Sequence, residues 1–271
     1  MDEISQRVRC TIDNGVADVR LNRPEKLNAL DRAMLSALVE TGRSLAGDSS
    51  VRAVVLSGEG RGFSAGLDFA EFQAMADGSA EALAAPPEAG YTGPAQVLAQ
   101  RAPYIWAELP APVIAAVHGV AFGGGLQITL GADVRLVAPD AQLSVMEIKW
   151  GLIPDMTGSQ LLPELVGRDV AKELTFTGRV VSGKEAADLG LATRVSADPH
   201  ADALALATEI AGKSPAAIRH AKQLLNMAGR VSLPDGFAAE QQAIRQLIGS
   251  PDQTEAVIAN LERRAPVFTG E

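Results

Sequence analysis

One cysteine, Cys10, stands in 271 residues, so no intrachain disulfide can form and a reducing setting is expected. Histidine is nearly as scarce. His118, His200 and His220 are scattered along the chain, and no His/Cys ligand spacing appears, so no metal site is expected. Aromatic residues make up only 4% of the chain, which leaves Ala, Val, Leu and Ile to fill the core. Positive charge is also short: 24 Lys and Arg against 33 Asp and Glu give a net charge of −9. Nucleic acid needs a basic surface and is not an expected partner. A phosphorylated small molecule needs only a local basic pocket. Apolar runs are broken by Gly, Pro or charge before about 18 residues, so no membrane-spanning helix is expected. The opening Met1-Asp2-Glu3 is acidic and leads into no apolar stretch, so no leader is expected and the cytoplasm is the expected location.

What is present is ordinary in bulk, with 47% apolar and 21% charged residues. A chain of this length can bury a real core, as one large domain or a domain with an appendage. Residues 7–12 and 16–21 alternate as strands around Asp13-Asn14-Gly15, an Asn-Gly hairpin signal. Asp31 reads as the N-cap of a helix carrying Met34, Leu35, Leu38, Val39 and Leu45, with Gly47 as its stop. Residues 53–56 form a short buried strand running into a glycine-rich corner. A helix over 95–108, stopped by Pro110 and Pro112, leads to a strand over 113–117. Residues 134–138 and 143–145 read as further strands. From about Gly158 helices take over, with Ser214-Pro215 and Ser250-Pro251 as N-cap and first-turn pairs. Residues 84–90, rich in Pro, Ala and Gly, are not expected to form regular helix or strand, and the sequence gives no conformation for a loop over 77–94.

Two corners carry the chemical information. Ala65-Gly66-Leu67-Asp68 and Gly123-Gly124-Gly125 each follow a strand and precede a helix. Such a turn leaves backbone N–H groups unpaired and aimed outward. Two of them on one oxygen make an oxyanion hole. If that oxygen belongs to a thioester, the neighbouring carbon becomes acidic, and a carboxylate can move its proton. Glu147 sits in the apolar Ser144-Val145-Met146-Glu147-Ile148, either on the polar face of a strand or as a buried acid with a raised pKa. Asp155, after Pro154, suits a helix N-cap.

Rival readings come from the same residues. Gly62-Phe63-Ser64-Ala65-Gly66 matches G-x-S-x-G, with Asp155 or Asp188 and then His200 or His220 in hydrolase order. A dinucleotide fingerprint fails, because Ile128 stands where its third glycine belongs.

Taken in order, these pieces resemble the crotonase superfamily, the enoyl-CoA hydratases and isomerases. The likeness runs over residues 16–268. Leu21-Asn22-Arg23-Pro24-Glu25-Lys26-Leu27-Asn28-Ala29-Leu30 resembles the family's first signature. Phe63-Ser64-Ala65-Gly66-Leu67-Asp68 resembles its first oxyanion loop, and Ala116-Val117-His118-Gly119-Val120-Ala121-Phe122-Gly123-Gly124-Gly125 its second. Gly151-Leu152-Ile153-Pro154 and Arg263-Arg264-Ala265-Pro266-Val267-Phe268 resemble later landmarks.

The resemblance implies an α/β fold, a crotonase-like spiral of ββα turns over residues 1–196, closed by a helical C-terminal trimerisation region over 197–271. It implies the backbone N–H groups of Leu67 and Gly124 as oxyanion donors. Ala65, Gly66 and Asp68 would line the coenzyme A site. Lys26 would approach its phosphates, beside Glu25, where some members have Lys. Phe268 would approach coenzyme A bound to a neighbour in a homotrimer or a dimer of trimers. No cofactor is bound permanently; coenzyme A enters as part of the substrate.

Family hydratases hold water between two glutamates. Glu147 matches the second, but Gln127 stands at the first, and an amide is no general base. Asp155 lies eight residues beyond Glu147, a spacing that resembles the family's dienoyl-CoA isomerases. Family dehalogenases also use the Asp155 position, but have an aromatic residue where Glu147 stands. Double-bond isomerisation is therefore the expected chemistry. Enoyl-CoA hydration with Gln127 orienting water is the alternative within the family. A serine hydrolase using Ser64 and a non-catalytic acyl-CoA binder are the alternatives outside it.

Overall fold

A computed structural model describes residues 6–78 and 91–270; most of the 77–94 loop lies outside them. Strands β1 (Val8–Asp13) and β2 (Val16–Leu21) form the expected antiparallel hairpin, with Asn14 and Gly15 both at positive φ. β2 then pairs in parallel with β3 (Ala53–Gly58), β3 with β4 (Val113–Val117), β4 with β6 (Val134–Val137), and β6 with β9 (Arg194–Val195). A second, three-stranded sheet contains β5 (Val120–Phe122), β7 (Gln142–Ser144) and β8 (Val181–Ser182) in that order.

The chain winds between these sheets as a spiral. After β3 it makes a single bridge at Ser64 to Ala121 of β5, then enters helix α2 (Phe69–Ala76). After β4 it adds β5 to the second sheet, then enters α4 (Gly124–Leu130). After β6 it adds β7, then a 3₁₀ turn over Met146–Trp150 and α5 (Gly158–Val166). Each turn is therefore strand, short strand, helical segment. The short strands stack in register, Ser64 on Ala121 and Phe122 on Ser144.

All six residues of β3 are buried, as befits a parallel strand covered on both faces. One face packs on the main core, to which α1 (Arg32–Ala46) and α3 (Leu98–Glu108) contribute Leu35, Leu38 and Trp106. Asp31 caps α1 by accepting the Met34 amide at 2.7 Å. The other face, including Val16, Val55, Ile114 and Leu136, is covered by α8 (Pro199–Ala211). Ala203, Ala207 and Ala211, four apart, let that helix approach the sheet closely. Although it lies beyond residue 197, α8 thus shares a core with the spiral. α6 (Arg168–Thr177) and α7 (Gly183–Asp188) lie between α5 and β9 in the chain.

Helices α9 (Pro215–Met227), α10 (Leu233–Leu247) and α11 (Pro251–Glu262) follow, and Ser214 and Ser250 cap α9 and α11 as expected. Lys222 of α9 reaches into the core, where its Nζ meets Asp133 at 2.8 Å and the carbonyls of Trp106 and Ala111 at 3.1 Å. Among the described residues no helix is long and apolar enough to cross a membrane.

Candidate active site

The same place in three successive turns supplies the three parts of the site. Leu67 follows the Ser64 bridge, Gly124 follows β5, and Glu147 follows β7. Stacked short strands stack what comes after them.

At the first corner, Leu30 N–H donates to Gly66 O and Asp68 N–H donates to Leu30 O. Neighbouring residues of an extended segment point their peptide groups to opposite sides. Leu67 N–H therefore faces away from Leu30. At the second corner Gly123 N–H donates to Ser144 O, and Gly124 opens a helix. Neither Leu67 N–H nor Gly124 N–H has a hydrogen-bond partner among the described residues. The corners touch: a side-chain carbon on Gly66 would lie 2.6 Å from Phe122 O and 3.7 Å from Gly124 N. One on Gly125 would lie 2.7 Å from Ser64 Cβ. The glycines are thus needed for close approach, and two free donors line one cavity.

That cavity, of about 570 Å³, is also lined by Glu147, Asp155, Lys26, Ala65, Gly66 and Asp68. A larger one of about 850 Å³, bounded by parts of α3, α5 and α9, lacks both corners.

Glu147 is buried on the 3₁₀ turn, 9% exposed, so the sequence Ser144–Ile148 is not an alternating strand. Burial raises its carboxyl, the Gln127 amide opposes the rise, and the charge of Asp155 adds to it. Gln127 Nε2 donates to Glu147 Oε1 at 2.6 Å, while Gln127 Oε1 accepts the Gly158 amide at 2.8 Å. Among the described residues Glu147 Oε2 has no hydrogen-bond partner. A buried acid with one oxygen anchored and the other unbonded is suited to proton transfer.

Asp155 does not cap α5. The N-cap residue is Thr157, at φ 73°, and no side chain caps the helix. Asp155 stays exposed in the cavity wall instead, where the protein around it displaces enough water to raise its carboxyl. Its access to solvent lets it exchange protons that Glu147 is shielded from.

The remaining expected residues divide. Asp68 is buried, caps α2 through the Ala70 amide, and pairs with Arg23 and with Lys26 Nζ at 3.2 Å. Burial pulls its pKa up, but the Ala70 amide and the two cations outweigh this and hold it at about 2. Lys26 is exposed at the cavity edge. Gln127 is not among the lining residues; it lies behind Glu147. Phe268 is also absent from the lining, and its carbonyl accepts from Arg52 at 3.0 Å.

The hydrolase reading fails. Ser64 is fully buried, and its Oγ donates to Asn28 O at 2.8 Å and accepts the Gly66 amide. His200 is bound to Asp18, and His118 to Gly60 O. The hydroxyl builds the corner and faces no histidine.

The sequence did not disclose the aromatic wall. Phe72 of α2 stacks on Trp150 of the 3₁₀ turn at 4.3 Å between ring centroids, and Phe69 meets Trp150 edge-on at 5.5 Å. The only signal was Trp150, one of two tryptophans, three residues after Glu147.

Residues 11–271 match the family model described as Enoyl-CoA hydratase/isomerase. The chain is 36% identical to the human enoyl-CoA hydratase domain-containing protein 2, mitochondrial, with 99% of this chain and 90% of that protein covered. It is 33% identical to the mouse methylglutaconyl-CoA hydratase, mitochondrial, covering 100% of this chain and 84% of that one. The crystal structure of an enoyl-CoA hydratase from Bacillus anthracis superposes with a TM-score of 0.87 at 31% identity, over 98% of this chain and 100% of the other. With corners and acids placed on that spiral, the chain belongs to the enoyl-CoA hydratase/isomerase family of the crotonase superfamily and is one of its enzymes.

Proposed function

We propose that the enzyme moves a double bond along an unsaturated acyl-CoA thioester. The thioester oxygen sits between the Leu67 and Gly124 N–H groups, and the developing enolate is held there, with the N-terminus of α4 adding its dipole. One of Glu147 and Asp155 takes the proton from C2. The electron pair delocalises through the double bond, and a proton is returned at the far end, at C4 of a 3-enoyl or C6 of a 3,5-dienoyl group. Bonds to hydrogen balance: the same acid returns its proton, or the other acid gives one and proton exchange through solvent-accessible Asp155 restores the starting distribution. Coenzyme A comes and goes with the substrate.

The observation that carries this reading is the fixed Gln127 amide. Gly158 N–H can only donate, so Gln127 Oε1 must face it and Nε2 must face Glu147. Gln127 thus aligns an acid from behind the cavity and is not the second carboxylate of a water site. Asp155 lines the same cavity, its carboxyl raised by burial where that of Asp68 is held low by the Ala70 amide and its two cations, and it supplies the pair without water.

The test is a 3-enoyl or 3,5-dienoyl thioester followed by NMR in D₂O. Isomerisation with deuterium uptake is expected, and Glu147→Gln should abolish it. Full activity in that variant ends the proposal. Hydration is the second reading, favoured by the names of the human and mouse relatives. Fast, stoichiometric loss of the enone absorbance of crotonyl thioester would establish it instead.

A trimer or pair of trimers, in the cytoplasm, remains part of this proposal. The support for the oligomer is the exposed apolar set on the last three helices and the turn after α10, with Leu225, Leu233, Phe237, Ile248 and Leu261 each more than half exposed.

A further inference from the structure

Two oxyanion corners and two acids accept many acyl groups, and the cavity wall narrows the choice. In a 3₁₀ turn residues three apart share one edge. Glu147 and Trp150 are so related on Met146–Trp150. An acyl chain that places a carbon at Glu147 must therefore run along Trp150. Trp150 in turn is packed by Phe72 and Phe69, from the helix that begins directly after Leu67 and Asp68. The chain is thus flanked by aromatic rings that tie the oxyanion corner to the acid.

The charges of the same wall are one-sided. Among the described residues neither Glu147 nor Asp155 is paired with a cation, and Gln127 is the side-chain donor to Glu147. Lys26 is the one cation among the described lining residues, and its Nζ is bonded to Asp68. Met75, Met146, Leu152, Ile153 and Met156 add apolar wall. A carboxylate on the acyl group would lose water, meet two acids and find no unpaired cation, each of which opposes its binding.

We propose that this enzyme selects acyl groups that are apolar and uncharged along their length, read by the Phe72–Trp150 stack, and rejects thioesters whose acyl chain ends in a carboxylate. The proposal rests on the thioester-binding reading of the site but not on which double-bond chemistry follows.

The experiment compares two saturated thioesters of equal chain length, octanoyl-CoA and its ω-carboxy counterpart, by calorimetric titration of the full chain. Neither can be isomerised or hydrated. Octanoyl-CoA is expected to bind at least about 100-fold more tightly. Trp150→Ala and, separately, Phe72→Ala should each lower octanoyl-CoA affinity about 10-fold and leave that of free coenzyme A unchanged. Trp150→Arg should improve binding of the ω-carboxy thioester. Equal binding of the two thioesters by the unaltered protein, or unchanged octanoyl-CoA affinity in both alanine variants, overturns the proposal. Discrimination without any isomerase turnover leaves it standing and overturns only the choice of isomerisation.

Discussion

Gln127 holds Glu147 by a 2.6 Å hydrogen bond from its amide nitrogen, and the Gly158 N–H fixes the other end of that amide. The donor stabilises the ionised carboxylate, in opposition to the burial that raises its pKa. Removing it in Gln127→Leu should raise the Glu147 pKa further. The acid limb of the kcat/KM profile then moves to higher pH, because the ionised base is the active form, and kcat falls about 10-fold or more. A limb that stays in place contradicts this role.

Gln127→Glu puts a second carboxylate where the water-holding one stands in family hydratases. Hydration of crotonyl thioester should rise at least about 10-fold while isomerisation falls, read by absorbance and by NMR. The like charges should also raise the second, higher apparent pKa of the pair.

Glu147→Gln and Asp155→Asn should each reduce isomerisation about 10²- to 10⁴-fold, the usual contribution of a positioned acid or base. Thioester affinity should hold within a few-fold, since the two corners are untouched. Loss of binding in parallel with loss of rate would point to a structural part for these acids.

Ser64→Ala should retain activity. The lost bond to Asn28 O is worth roughly 1 kcal/mol of stability, which denaturant titration would register. A fluorophosphonate probe should leave the unaltered protein unlabelled.

Asp68 contributes to stability with a pH signature. Its pKa falls from 3.8 to about 2 on folding, so the folded state prefers the charged form. The contribution, about 2 kcal/mol, is present above pH 3.8 and is lost as pH falls through about 2. Asp68→Asn should be destabilised by about that amount at neutral pH, with the deficit against the unaltered protein closing in acid.

Much of this was legible from particular residues. Asn14-Gly15 announced the hairpin, Asp31 and Gly47 bounded α1, and the strand over 113–117 is β4 as read. The helix expected over 95–108 begins at Leu98, after an N-cap Val97 that makes no side-chain bond, so nothing in the sequence marked its start. β5 and β8 were missed because strands of three and two residues show no period. The 3₁₀ turn under Glu147 was hidden for the same reason. Asp155 looked like a cap because proline followed by aspartate ahead of a helix satisfies local rules; α5 instead starts at Gly158 from an N-cap Thr157 in a left-handed conformation. The aromatic wall is a tertiary contact between residues far apart in sequence.

The Gly158 amide that orients Gln127 is also the first residue of α5, whose Leu161 and Leu162 are set in the main core. The strength of the base is thereby tied to how that helix is seated. Trimming Leu162, which does not line the cavity, should register as a displaced pH optimum, so a substitution outside the pocket can retune the chemistry.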